Sequence, residues 1–242
     1  MKINILNKGY IALAILLVAG TIYKIIAYKT WARYDYYSAI CTPQSYPIYL
    51  QACYFITADA DDLAWINDEK VNDFRSEWGD EGFPEARDPL RLPEKLVLKY
   101  AAYSEQKFYS DTLSLPVDVI QKVFKEAAKK NQLDELFKSG QNVKGLKFLV
   151  GVVPDGQVVV WLRGRFLEQV ILKAKIAPKE PRSDEMYFEK PLSKSAYLNT
   201  VFEGLSDSLK TKIKSGWDQH ANYLDTPTHY IDQNKDGWKS IH

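Results

Sequence analysis

The longest unbroken apolar run stands at the start of the chain. Residues 9–28 read GYIALAILLVAGTIYKIIAY, with no charge between Gly9 and Tyr23. A helix needs roughly 20 apolar residues to cross a bilayer. Lys24 lies near one end, where its stem lets the ammonium reach the headgroups. Tyr10, Tyr23, Tyr28 and Trp31 suit the interfacial belts. The pattern predicts a tail over residues 1–8, a transmembrane anchor or signal-anchor over 9–29 and one domain over 30–242. The same stretch also meets the description of a cleavable signal: basic Lys2 and Lys8, a short apolar core at 10–17, then small Val18 and Gly20 before Thr21. A lipoprotein signal would carry Cys where Thr21 stands, and Thr offers no thiol to acylate. Lysines flank the run on both sides, so local charge does not orient it. Long following domains translocate largely regardless of charge, and the signal-like layout points residues 30–242 outward.

Beyond the anchor the pattern changes to short alternating runs. Residues 33–40 (RYDYYSAI) and 46–57 (YPIYLQACYFIT) read as strands joined by a Pro-containing turn in a hairpin. Residues 95–103 and 106–114 form a second strand pair turning at Ser104-Glu105. Leu115-Pro116 opens a helix whose apolar face is Val119, Ile120, Val123, Phe124 and Ala127, with Lys129-Lys130 at its end. Leu133, Leu136 and Phe137 suggest a second short helix stopped near Gly140. Residues 146–153 and 157–163 flank Pro154-Asp155-Gly156, the strongest hairpin signal in the chain. Residues 165–176 continue the meander, and 178–194 are polar and Pro-rich. Residues 195–215 predict one helix with Tyr197, Leu198, Val201, Phe202, Leu205, Leu209 and Ile213 on one side. The tail from 216 onward reads as irregular. The expected class is α+β: an antiparallel sheet of about seven strands covered by two main helices, preceded by the transmembrane helix. No strand–Gly-rich turn–helix unit for a nucleotide occurs.

The 32 basic and 31 acidic residues nearly cancel, which argues against nucleic acid as a partner. Cys41 and Cys53 are the only cysteines. Outside the cytoplasm they could close a disulfide; the alternative is two buried thiols packing as small hydrophobes. Two cysteines lack the further ligands of a closed zinc site, and no metal or cofactor is expected. Asp232–Gly237 (DQNKDG) resembles the first half of a calcium loop, but no Glu stands at the twelfth position. His220, His229 and His242 lie far in sequence from any nucleophile motif. Trp161, Arg163 and Arg165 could form a cation–π cluster or a binding edge, or Trp161 could simply be core. The remaining candidate is the acidic excursion at 58–91. Asp59, Asp61, Asp62, Asp80 and Glu81 stand there beside Trp65 and Trp78. Aromatic anchors within a polar rim suit a protein interface, and the acids would steer a basic partner. The alternative is a covering loop whose aromatics cap the core.

Several pieces in order give the chain a resemblance. They are Tyr46-Pro47, Trp78-Gly79, Leu92-Pro93, Glu105-Gln106-Lys107-Phe108-Tyr109, Leu115-Pro116 and VGVVPDGQVVVWLRG at 150–164. Over roughly residues 33–175 the chain resembles a bacterial envelope family known as domain of unknown function 2931. Members look like lipoproteins or envelope-anchored proteins, and some resemble immunity partners of type VI secretion effectors, notably lipases. Taken with the anchor and its signal-like layout, the resemblance implies a single-pass inner-membrane protein with its domain in the periplasm. Its function would be stoichiometric binding of a secreted toxin, with no enzymatic activity. An envelope assembly factor and a hydrolase with a scattered active site are the alternatives. The sequence identifies no small-molecule ligand.

Overall fold

The computed structural model describes residues 4–58, 63–66, 70–71, 78–80, 88–138, 140–218, 222–226 and 228–239. The chain divides into two units, Met1–Arg33 and Tyr34–His242.

In the first unit, α1 (Ile5–Tyr28) runs for 24 residues, about 36 Å at the usual helical rise. It is long and apolar enough to cross a membrane, and none of its side chains is buried. It begins four residues before the apolar run, taking in Lys8. Within it Thr21 Oγ1 donates to the Leu17 carbonyl at 2.8 Å, so the hydroxyl is satisfied inside the helix. Lys29 closes the helix in a left-handed conformation. The Arg33 guanidinium lies 3.9 Å from the Tyr28 ring centre.

The second unit is built on two five-stranded sheets. After β1 (Arg33–Tyr34) come β2 (Tyr36–Cys41), β3 (Ile48–Thr57), β4 (Leu63–Trp65), β5 (Lys70–Val71), β6 (Leu90–Arg91), β7 (Pro93–Ala102) and β8 (Lys107–Ser114). Helix α2 (Val117–Lys129) precedes β9 (Asp134–Lys138), β10 (Gln141–Val153), β11 (Gln157–Gly164) and β12 (Leu167–Lys175). The ribbon β13 (Tyr187–Phe188)–β14 (Lys190–Pro191) then leads into helices α3 (Lys194–Val201), α4 (Asp207–Lys214) and α5 (Tyr230–Lys239).

One sheet has the order β12-β11-β10-β2, with β9 also on β10; the other has β4-β3-β7-β8, with β5 also on β3. The expected mixture of strands and helices is present, but the single sheet is replaced by two five-stranded sheets and two short ribbons, β1–β6 and β13–β14. The reason lies in β2. It does not fold back on β3; it pairs parallel with β10, Tyr36 opposite Leu146 through Cys41 opposite Gly151. The run 146–153 of β10 is buried throughout. A strand covered on both faces belongs in a sheet interior, with a neighbour on each side. β11 supplies one through the expected hairpin, whose Asp155 and Gly156 take φ of 61° and 69°. β2 supplies the other.

The main core lies between the sheets. Tyr36, Phe148, Val150, Val160 and Leu162 face Ile48, Phe55, Leu96, Leu98 and Tyr100, with Ile120, Val123 and Phe124 of α2 in the same cluster. Phe55 and Phe148 meet across it with ring centres 5.2 Å apart. The outer face of the second sheet buries Ala101 and Phe108 under Tyr197, Leu198, Val201, Phe202, Leu205 and Leu209. The outer face of the first buries Ala39, Cys41, Leu149, Val159 and Trp161, with Trp78 and Leu224 packed on them.

Three local expectations are corrected. Leu136 and Phe137 lie in strand β9, not in a helix; β10 overruns the hairpin and pairs with it, Val143 opposite Leu136, and alternation then buries Leu136 while exposing Phe137. The helix expected over 195–215 is two helices: Ser206 accepts from the Leu209 N–H and starts the second one afresh. The tail contains α5, and Asp232–Gly237 lies inside it, where helical backbone rules out the calcium-loop conformation.

The cysteine pairing is corrected as well. Cys41 and Cys53 are both buried and form no disulfide. They stand in different sheets, Cys41 in the outer cluster against Trp161 and Cys53 in the main core, so the hairpin that would have joined them does not exist. Burial pushes the Cys41 thiol up to about 12. Neither cysteine should react with a thiol reagent at neutral pH in the native protein, and non-reducing mass spectrometry should find no linked peptide. Because the folded-state value is raised, the stability held by the neutral Cys41 thiol is complete below its ordinary 9.0. It declines as pH rises towards 12. The urea midpoint of Cys41→Ala should therefore fall less steeply with alkali than that of the wild type.

Candidate functional site

The outer face of the first sheet carries a polar node that begins at Arg163 on β11. This guanidinium is fully buried. Its Nε donates to Glu168 Oε2 at 2.8 Å, with Nη2 at 2.8 Å from the same oxygen. Nη1 donates to the Gly79 carbonyl at 2.5 Å. Thr228 Oγ1 donates to the Glu168 carboxylate at 2.6 Å. The Tyr230 ring lies 4.4 Å from the guanidinium carbon and 5.2 Å from Lys147 Nζ, whose own partner is Asp134 at 2.7 Å. A buried cation is tolerated only when it is paired and hydrogen-bonded. Gly79 sits at φ 91°, and a Cβ there would lie 2.9 Å from Thr228 Cβ. Its lack of a side chain lets the Trp78-Gly79 turn and the Thr228–Tyr230 segment close on the same arginine.

Trp78 is thereby laid on the sheet. Its ring centre is 5.2 Å from Trp161 and 5.6 Å from Tyr223. Gly151 beneath makes this contact possible, since a Cβ there would come within 2.6 Å of both indoles. Beside Trp78 opens a cleft of about 240 Å³ lined by Pro43, Gln44, Trp78, Trp217, Asp218 and Tyr223. Tyr223 OH donates to Asp218 Oδ2.

A second node ties the ends of the two sheets together. Glu105 Oε2 accepts from Tyr46 OH at 2.5 Å and from Tyr109 OH at 2.9 Å, and Oε1 accepts from the Asp155 N–H at 3.0 Å. Tyr109 stacks on Tyr100 at 4.9 Å. Burial foremost, and the nearby Glu105 carboxylate, push the Tyr46, Tyr100 and Tyr109 phenols above their ordinary value. This node pins the approach to β3, the β7–β8 turn and the β10–β11 turn to one carboxylate.

Of the expected interface residues, Trp65 lies on edge strand β4, 44% exposed and stacked on Tyr54 at 4.4 Å. Trp78 is half-buried on the other sheet, and Asp80 beside it is exposed. Asp59, Asp61, Asp62 and Glu81 lie outside the described residues. The two tryptophans therefore stand on different sheets and do not form one anchor pair. At the expected Trp161–Arg165 edge, Trp161 and Arg163 are buried. Only Arg165 and Phe166 remain at the surface, lining a hollow with Lys130, Asn131 and Gln132. Trp217, Asp218, Tyr223, Thr228 and Tyr230 were not foreseen. The density of aromatic residues in the tail was the one available signal, and nothing in it pointed to β11.

Removing one member of a buried ion pair leaves the other charge uncompensated. Glu168→Ala should lower stability by about 3 kcal/mol in urea denaturation. Lys194→Ala, which removes the exposed Lys194–Glu180 pair, should leave the midpoint where it is.

Several of the pieces that carried the resemblance build these nodes. Tyr46, Glu105, Tyr109 and Asp155 meet in one; Gly79 and Arg163 meet in the other, with Trp78 laid on Trp161 alongside. No curated protein and no solved structure matches the chain. The model for the family of proteins of unknown function DUF2931 matches residues 26–221, most of the chain, and the protein therefore belongs to that family.

Proposed function

We propose that this protein is a membrane-anchored binding protein of the bacterial envelope that blocks a secreted toxin by stoichiometric occlusion. Trp65 is the observation that carries the reading. A large aromatic side chain held 44% exposed on an edge strand, and kept in place by stacking on Tyr54, is an anchor of the kind that concentrates binding energy at protein interfaces. The edge strand adds backbone groups that a partner strand can pair with. Asp59, Asp61 and Asp62 precede it in sequence and would steer a basic partner surface towards it. Anchoring by α1 would confine the binder to the membrane surface, where a toxin acting on the envelope, such as a lipase, arrives. In this reading residues 1–8 are cytoplasmic and the domain is periplasmic.

The neighbouring gene is the first place to seek the partner, and a toxin encoded there is the protein to test. Trp65→Ala should weaken its binding by about 2 kcal/mol or more, with the thermal midpoint close to wild type because the side chain is exposed. Wild-type affinity in the folded variant would overturn Trp65 as the anchor. Failure of the native protein to bind that toxin or to protect cells from it would overturn the immunity reading itself.

The address is tested separately. An alkaline phosphatase fused after residue 242 should be active and should remain in the membrane fraction. An inactive fusion would reverse the orientation, and a soluble product starting at Thr21 would replace the anchor with a cleaved signal.

A further inference from the structure

The aromatic cleft beside Trp78 has a chemistry of its own, independent of the toxin-binding reading and on the opposite sheet from Trp65. We propose that it binds a small organic cation of the alkylammonium class, with the positive centre held between aromatic faces and the Asp218 carboxylate.

Three rings line the cleft, Trp78, Trp217 and Tyr223, together with, among the described residues, a single acidic side chain, Asp218. Trp78 and Tyr223 stand at 58° to one another with centres 5.6 Å apart, so they form two walls of a corner. Indole and phenol faces attract cations through their quadrupoles, and combinations of such rings are how proteins recognise quaternary ammonium groups. The carboxylate is oriented for the same purpose. Its Oδ2 accepts from Tyr223 OH and from Ser45 Oγ at 3.4 Å. Its Oδ1 receives no hydrogen bond among the described residues. One oxygen thus holds the group in place and the other remains to face a positive charge.

Trp217 already serves this function within the protein. Lys212 Nζ lies 5.3 Å from its ring centre, and that lysine makes no ion pair with Asp218 among the described residues. The ring is therefore placed where a cation is stable, while Oδ1 of the Asp218 carboxylate accepts no hydrogen bond among the described residues. The donor set discriminates among cations. Hard metal ions require several oxygen ligands, and no cluster of three or more His, Cys, Asp or Glu side chains occurs among the described residues. One carboxylate among aromatic faces instead suits a large, weakly hydrated organic cation. The volume of about 240 Å³ lies below the range typical of drug-sized pockets. It admits a headgroup-sized molecule and little more.

The experiment uses the full-length protein in a maltoside detergent, which carries no charge of its own. Choline chloride is titrated while tryptophan fluorescence and calorimetry are followed. Saturable binding is expected. The uncharged carbon isostere 3,3-dimethylbutan-1-ol should bind at least about tenfold more weakly, the size of a desolvated cation–π contact. Asp218→Asn and Trp217→Ala should each weaken choline by a similar factor, with near-ultraviolet circular dichroism reporting that the variants are folded. A parallel titration with glycerophosphocholine separates two sources of the same chemistry. Tighter binding than choline assigns the cleft to a phospholipid headgroup, and equal binding assigns it to the free cation. Absence of saturable choline binding, equal affinity for the isostere, or unchanged affinity in folded Asp218→Asn would each overturn the proposal. If Asp218→Asn does not fold, the choline–isostere comparison on the native protein decides alone.

Discussion

The structure of the larger unit depends on β10 being buried on both faces. Its even-numbered residues Phe148, Val150 and Val152 enter the core between the sheets. Leu149 and Gly151 face outward, under Trp161 and Trp78. A strand in that position has no solvated side, so each neighbour must bring apolar surface and a full hydrogen-bonded edge. The hairpin to β11 meets half of that requirement with residues close in sequence. The parallel pairing with β2 meets the other half with residues more than a hundred positions away. Once β2 is committed there, β3 has to seek β7, and the second sheet follows.

Burial on the outer face creates the demand that the charged node answers. Arg163 and Lys147 lie on the two central strands of the first sheet, and each is almost entirely removed from solvent. Isolated, either charge would cost more than the surrounding packing returns. Glu168, the Gly79 carbonyl, Asp134 and the face of Tyr230 supply the compensation. In doing so they draw two remote segments, Trp78-Gly79 and Thr228–Tyr230, onto one patch of sheet. The aromatic cleft lies beside the same patch. Its walls are positioned by an electrostatic requirement, which is why a cleft can form from segments with little regular structure.

Glu105 plays the corresponding part at the sheet ends. A single carboxylate accepting from two tyrosines and one backbone N–H couples turns from both sheets. The two nodes differ in consequence. At the Glu105 node the partners are neutral hydroxyls and an amide, so losing one donor leaves an oxygen short of a bond. At Arg163 one partner, Glu168, carries the opposite charge, and losing it strands a buried ion.

Where information was local, the sequence alone determined the outcome. The apolar run of α1, the amphipathic face of α2 apart from the exposed Val119, the Asp-Gly hairpin and the β7–β8 pair rest on contacts between near neighbours, and each appears in the structure. The family was legible for a related reason, since several of its pieces are turns and partners of the two nodes. The partner of β2, the separation of Cys41 from Cys53 and the strand character of β9 were not legible. Short apolar runs fit several sheets equally well, and the choice among them is made by which distant strand remains uncovered. The candidate surface divided in the same way. Trp65 could be named because an aromatic residue in an acidic stretch is visible in one dimension. Trp217, Asp218 and Tyr223 could not, because only the buried charge on β11 and the space above Gly151 decide where Trp78 and the tail come to rest.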